Sequence, residues 1–287
     1  MTVYLSPEHL SGLGEDTFWT WFQREFSSSK VMLPNKLNDT DIVLRYSVLG
    51  PINTSGKAVA LLWELLPEMK VKLHSNVWDD RIRKIMQCAK ESQYRTIASP
   101  IMKEYYEEFG EVDVIPLGVN TDLFKPIVDK EMLRKKYSLP LDRKIGFWCG
   151  TTHPMKGFNK LCEWAKEHPE IYWIIVWKQK SETPNLYVQF KMRLEKRFRS
   201  YTHVSQQTLA ELMNAADFFL VPGMLRPFFL VEWEAMACDL PPVIIGEQPK
   251  DFVPSNHPRN DIFRMKWDRK TARKTWEKYL TSKGVMM

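Results

Sequence analysis

Short apolar runs bounded by turn residues alternate with longer stretches whose apolar positions recur at helical spacing, and this rhythm continues from one end of the chain to the other. In the first half Thr2 to Ser6, Asp41 to Val48, Val71 to Ser75 and Arg95 to Ser99 read as strands. Helices are predicted over Glu15 to Phe26, over Gly56 to Met69 with a stripe of Val59, Leu62, Trp63 and Leu66, over Asp79 to Lys90, and over Ile101 to Phe109. Val112 to Pro126 reads as a strand that ends in a bend glycine permits, with Pro126 and the polar residues after it as a linker.

The second half repeats the rhythm. Strands are predicted at Lys144 to Cys149, Ile171 to Trp177, Thr202 to Ser205, Asp217 to Val221, Val243 to Ile245 and Ile262 to Trp267. Helices are predicted at Phe158 to His168, Asn185 to Arg199, Gln206 to Ala216, around Glu234 to Ala237, and at Asp268 to Tyr279. Two successive sets of alternating strands and helices imply an α/β protein of two domains with parallel sheets and a cleft between them. The boundary is placed so that residues 1–122 form the first domain and 123–267 the second, with 268–287 as a closing helical segment.

Composition narrows the class. A chain of 287 residues, 44% hydrophobic and 26% charged, is long enough for two cores and has the make-up of a soluble globular protein. It has no apolar run long enough to span a membrane and no charged-then-apolar leader at Met1, so a cytoplasmic location is expected. Cys88, Cys149, Cys162 and Cys238 are far apart in apolar surroundings, which predicts reduced thiols and no zinc site. A net charge of +6 favours anionic partners: nucleotide phosphates, nucleic acid or an acidic lipid surface. Arg81, Arg83 and Lys84 on one helix, and Lys191, Arg193, Lys196, Arg197 and Arg199 on another, could face such a partner or simply be wetted charge.

Candidate chemistry lies at the carboxyl ends of the predicted strands, where the following helix turns its positive end toward an anion. Asp217 to Gly246 reads strand, loop, helix, strand, which makes Gly223 to Phe229 the first place to seek a ligand. Gly12 and Gly14, after the first strand, let backbone N–H groups approach a phosphate or sugar. His74 ends a strand and can hydrogen-bond a sugar hydroxyl or phosphate. The loop Gly150 to Gly157, GTTHPMKG, ends with Lys156 next to a helix start, a placement that suits a diphosphate.

Three segments carry a family resemblance. In DFFLVPGMLRPFFLVEWEAMACDLPPVIIG, the residues Pro227, Phe228, Glu234, Ala235, Met236, Ala237, Cys238, Pro241 and Val243 follow the pattern E-P/G-F-G-x4-E-A-M-A-x-G-x-P-V. In VDVIPLGVNTDLFKP, Ile115, Pro116, Gly118, Val119, Phe124 and Pro126 follow I-P-N-G-V-D-x-x-x-F-x-P, and in GTTHPMKG, Lys156 and Gly157 follow G-R-x-x-x-x-K-G. The chain thereby resembles the retaining GT-B glycosyltransferases of the glycogen synthase and phosphatidylinositol mannosyltransferase type, the glycosyl transferases group 1. Arg226, Phe229 and Asp239 stand where those enzymes have Glu, Gly and Gly, Thr151 stands where they have Arg, and Leu117 and Asn120 replace Asn and Asp.

The resemblance implies two Rossmann-like domains facing a central cleft, with the closing helix packing back on the first. It implies a nucleotide-sugar donor, a hydroxyl acceptor and retention at the anomeric carbon, with neither cofactor nor metal. His74, Lys156 and Arg226 are its catalytic candidates. Gly12, Gly14, Thr151, Lys156, Val204, Ser205, Arg226, Pro227, Phe228, Phe229 and Glu234 are its donor-binding candidates, with Lys156 on the diphosphate and Glu234 on the ribose. Arg226 either supplies the charge missing at Thr151 or marks a fold that keeps binding and has lost transfer. The acceptor is read as a glycan or lipid, with peripheral contact to acidic membrane. DNA carrying a hydroxymethylated base, flipped from the stack, is the alternative acceptor, and a non-catalytic sugar-nucleotide binder is the alternative class.

Overall fold

A computed structural model of the protein describes residues 3–6, 21–22, 24–26, 42–46, 57–62, 76–98, 100–150, 157–177, 196–202, 204–222, 230–245 and 268–284. The chain forms two compact units, one of Met1–Gly118 with Arg269–Met287 and the other of Val119–Asp268. The described helices are α1 (Asn76–Glu91), α2 (Lys130–Lys136), α3 (Phe158–Glu167), α4 (Gln206–Ala215), α5 (Leu230–Ala237) and α6 (Arg269–Ser282).

In the first unit β1 (Val3–Ser6), β2 (Ile42–Tyr46), β3 (Lys57–Leu62), β4 (Tyr94–Ile97) and β5 (Asp113–Val114) form a sheet in that same order, and every neighbouring pair is parallel. The helix predicted over Gly56 to Met69 is corrected here: Lys57–Leu62 is a strand. It lies between β2 and β4, with Val59, Ala60, Leu61 and Leu62 all buried. A strand covered on both faces shows a continuous apolar run, and such a run mimics a helical stripe when only spacing is read. Pro100–Tyr105 and Glu107–Phe109 are short 3-10 turns where an α-helix is predicted. Gly110 follows them at φ 116, a backbone geometry that ends any helix there.

The closing helix α6 packs within this unit. Trp276 meets the ring of Phe22 edge to face at 5.4 Å, and Arg273 pairs with Glu25 at 3.2 Å. Gly118, at φ 77, lets the chain bend close under α6; a Cβ there would lie 2.7 Å from the Ala272 Cβ. At the far end of α6 the Lys283 ammonium sits 4.7 Å from the Tyr94 ring and 5.1 Å from the Tyr279 ring, with the Asp113 carboxylate at 3.6 Å.

The second unit holds β6 (Ile145–Gly150), β7 (Tyr172–Trp177), β8 (Phe198–Thr202), β9 (Phe218–Val221) and β10 (Pro242–Ile244), all parallel, in the order β10-β9-β6-β7-β8. Chain order therefore runs outward from β6 in both directions. Right-handed crossovers going opposite ways deposit their helices on opposite faces. The side chains agree. Phe147, Cys149, Ile174, Val176, Phe219 and Val221 pack with α2, α4 and α5 on one face. Trp148, Trp173, Ile175, Trp177, Phe218 and Leu220 pack with Phe158, Leu161 and Ala165 of α3 on the other. Each such buried apolar side chain contributes about 1.5–3 kcal/mol, and together they fix which end of each strand carries which loop.

Two further expectations change in this unit. Phe198–Thr202 is strand β8, so Arg197 to Arg199 leave the helix predicted over Asn185 to Arg199, and the strand predicted at Thr202 to Ser205 begins earlier. Phe198 packs against the core on one face and Tyr201 on the other, while Arg199, Ser200 and Thr202 are exposed, as the edge position of β8 allows. The polar stretch after Pro126, read as linker, contains α2, whose first turn is capped by Asp129 accepting from the Met132 N–H at 2.8 Å.

Candidate functional site

The strand order makes one place in the second sheet unlike the rest. β6 and β9 are hydrogen-bonded neighbours, with Gly146 opposite Phe218 and Phe147 opposite Phe219. The chain leaves β6 toward β7 and leaves β9 toward β10, in opposite directions across the sheet. Loops that diverge from adjacent carboxyl ends leave a crevice, and in open α/β sheets that switch point is where ligands bind. Residues 151–156 follow β6 in the chain and residues 223–229 follow β9, so both predicted ligand segments are attached at this one point.

Of the predicted site residues, Gly12, Gly14, His74, Thr151, Lys156, Arg226, Pro227, Phe228 and Phe229 lie outside the described residues, as do the strands predicted at Val71 to Ser75 and Ile262 to Trp267. Glu234 is described: it sits on α5, directly after the loop from β9, and is 4% exposed. Glu232, which the motif comparison does not single out, is also buried on that helix at 7%. Val204 packs against the core beside α4. The Ser205 hydroxyl oxygen accepts from the Thr208 N–H at 3.1 Å, so its side chain caps α4.

Gly157, which ends the loop after β6, caps α3 with a left-handed backbone at φ 67 and abuts Pro222, the residue after β9. Beneath that first turn the Phe158 ring lies 5.2 Å from Trp148 and 4.8 Å from Trp177, each from the carboxyl half of its strand. The start of α3 is thus held by β6, β7 and β9 together. Sequence reading had no signal for this contact, because it joins residues far apart in the chain.

The opposite end of the same strands is sealed by charge. The Asp217 carboxylate accepts from the Ile145 N–H at 2.7 Å, the Arg134 guanidinium at 2.7 Å and the Lys130 ammonium at 3.0 Å. Burial pushes its pKa up, but the Ile145 N–H, Lys130 and Arg134 outweigh that and hold it below the usual carboxylate range. Nearby, Lys136 and the Tyr137 hydroxyl donate to Glu211 and draw its carboxyl down to about 2. In the first unit Arg83 and Lys84 of α1 both pair with Asp80, so two cations of the expected basic face are already answered within the helix. Among the described residues no group of three or more His, Cys, Asp or Glu is placed to hold a metal ion, and no helix is long and apolar enough to cross a membrane.

Comparison with known proteins decides the family of this region. Residues 129–249 match the family model described as Glycosyl transferases group 1. The chain carries a glycosyl transferases group 1 domain. That domain begins at the cap of α2, takes in all five strands of the second sheet and encloses both loops of the switch point.

A D-inositol 3-phosphate glycosyltransferase of Xylanimonas cellulosilytica is 28% identical over 159 residues, a match covering 52% of this chain and 38% of the relative. The chain thus spans well under half the length of that curated relative. HepE of Anabaena, solved in complex with UDP and glucose, superposes with a TM-score of 0.75 at 14% identity, covering 98% of this chain and 100% of that one. Sucrose-phosphate synthase from Thermosynechococcus elongatus superposes with a TM-score of 0.68 at 16% identity, over 84% of this chain and 73% of that one. The fold is GT-B, and the group 1 domain lies within its second unit.

Proposed function

We propose that the chain is a glycosyltransferase that takes a sugar from a nucleotide-sugar donor and transfers it, with retention at the anomeric carbon, to a hydroxyl of a glycan or lipid acceptor. The observation that carries this reading is that the switch point between β6 and β9 falls inside the group 1 domain, with both of its loops. The name of the Xylanimonas relative supports a hydroxyl-bearing acceptor, and the HepE complex supports a UDP-linked donor.

In this reading Lys156, next to the cap of α3, neutralises the leaving diphosphate at a helix N-terminus. Glu234 accepts hydrogen bonds from the ribose hydroxyls, and its burial makes such bonds strong. Arg226 supplies the positive charge that Thr151 cannot, and His74 serves the sugar and the acceptor hydroxyl. Catalysis of this kind is chiefly placement and electrostatics: the diphosphate leaves against fixed positive charge while the oxocarbenium-like sugar meets the acceptor.

The test is a thermal-shift titration with UDP and UDP-glucose, followed by a transfer assay on glycan and lipid acceptors. A saturable rise in Tm is expected, since a ligand that binds only the folded state must raise it. Transfer should fall on Lys156→Ala and on Arg226→Ala. No rise with any nucleotide sugar would end the proposal. A rise with no turnover would leave the non-catalytic binder in its place, and transfer to duplex DNA would change the acceptor.

A further inference from the structure

We infer that Gly157 and Pro222 are a positioning pair that fixes how near the start of α3 comes to the end of β9, at the carboxyl ends of the strands where the donor reading puts the diphosphate. This rests on the donor reading given above. The register that puts Phe147 opposite Phe219 brings Pro222 level with Gly150, at the mouth of the switch point. A Cβ built on Gly157 would lie 2.3 Å from the Pro222 Cβ and 3.1 Å from both the Pro222 Cγ and its carbonyl oxygen. The two backbones therefore touch at the closest approach a glycine allows, and nothing larger fits without parting them. Gly157 is also held at φ 67, where L side chains are strained.

The neighbours cannot yield to relieve an added methyl. Phe158, 2% exposed, is wedged between Trp148 and Trp177, which are themselves edge to face at 5.8 Å. Pro222 is buried and continues β9, whose four residues are all buried. The first turn of α3 thus has an aromatic floor from β6 and β7 and a proline wall from β9. A diphosphate held at the start of α3, as the donor reading has it, meets a helix whose position against β9 is set before it arrives. Preorganisation of this kind is what makes a charge clamp effective, because no reorganisation is left for the moment of reaction.

The experiment compares Gly157→Ala, Pro222→Gly and the double variant, each checked for a native near-ultraviolet spectrum of its tryptophans, by UDP titration well below its Tm. Gly157→Ala should weaken UDP binding by about tenfold or more, because misplacement of a site by even an ångström is felt strongly. Pro222→Gly added to it removes the obstructing Cβ and Cγ and should restore most of that affinity, although it adds flexibility and lowers Tm further. Affinity and stability moving in opposite directions between the single and double variants is the signature that a purely structural contact would not give. If Gly157→Ala does not fold, Pro222→Gly alone carries the test, with a severalfold loss of UDP affinity at native spectrum expected. Unchanged UDP affinity in every folded variant, with only Tm lowered, overturns the inference and leaves the donor reading standing. A wild-type protein that binds neither UDP nor UDP-glucose overturns both.

Discussion

The two parallel sheets of this chain are made of similar strands and differ in the order in which the strands are laid down. In the first sheet each strand is added beside the one before it, from β1 to β5. Crossovers of one hand then all travel the same way, and among the described residues no two neighbouring carboxyl ends send their loops apart. The second sheet starts in the middle, at β6, and grows both ways. One reversal of direction makes a switch point that the described strands of the first sheet lack, and it falls inside the group 1 domain. The proposed nucleotide site therefore falls in the second unit by topology before any single side chain is considered.

The largest effect that could break this comparison is on donor affinity. Lys156→Ala should weaken UDP-glucose binding by about ten- to a hundredfold, the loss of one hydrogen bond to a charged group worth about 1.5–3 kcal/mol. His74→Ala, in the first unit, should lower transfer while leaving UDP affinity within about threefold, an effect below 1 kcal/mol. Calorimetry with UDP separates the two. Equal losses of UDP affinity in both variants would show that the assignment of the nucleotide to one unit is wrong.

A smaller effect sharpens the contrast between the two ends of the second sheet. At the amino end, Asp217 ties the Ile145 N–H to Arg134 and Lys130 of α2, and Arg134 also donates to the Ala215 carbonyl at 3.0 Å. Asp217→Ala strands a buried guanidinium and a backbone N–H, which costs about 2 kcal/mol. Chemical denaturation should show that loss with UDP affinity unchanged. Loss of UDP binding along with stability would mean that the two ends are not separable.

The acid limb of the stability profile belongs to the same end. Glu211, held at about 2 by Lys136 and Tyr137, starts from an ordinary value of 4.5. Its contribution is complete above 4.5 and is lost as pH falls from there toward 2, and Asp217, also lowered, acts in the same sense. Lys136 is half exposed, so solvent screening keeps this pair's contribution small. Lys136→Met should flatten the fall in Tm between pH 5 and pH 3. In the first unit burial raises the Tyr279 phenol, so its contribution is present below the ordinary tyrosine range and fades only as pH rises through it.

Legibility in the sequence followed how local each interaction is. Strands such as Ile171 to Trp177 and helices such as α3 and α4 could be read because their periodicity is written in neighbouring residues. β3 could not, since Lys-Ala-Val-Ala-Leu-Leu between two strands has no polar face to betray its period. The family resemblance pointed to Glu234 and to the two loops, but neither spacing nor motif gives strand order, so the switch point itself was legible only in the structure. The Gly157 and Pro222 contact and the Asp217 network join residues more than sixty positions apart, which no window along the chain can see.

The smallest effect compares how each unit secures a helix with lysine. In the second unit Lys130 meets Asp217 at 3.0 Å as one of three donors on a half-buried carboxylate. In the first, Lys283 stands between the rings of Tyr94 and Tyr279 with Asp113 at 3.6 Å, and Lys57 donates to its carbonyl at 3.3 Å. A cation over two rings keeps its attraction when salt screens an ion pair, because the rings also exclude water from it. Lys283→Met retains the apolar stem but loses the charge, and should cost at most about 1 kcal/mol. It should register as faster amide exchange in the last turn of α6, with the start of α6 near Gly118 unaffected. Lys130→Met should cost a similar amount in low salt and almost nothing in molar salt, whereas the Lys283→Met loss should persist there; if both losses vanish together in salt, the aromatic cage contributes nothing beyond the Asp113 pair.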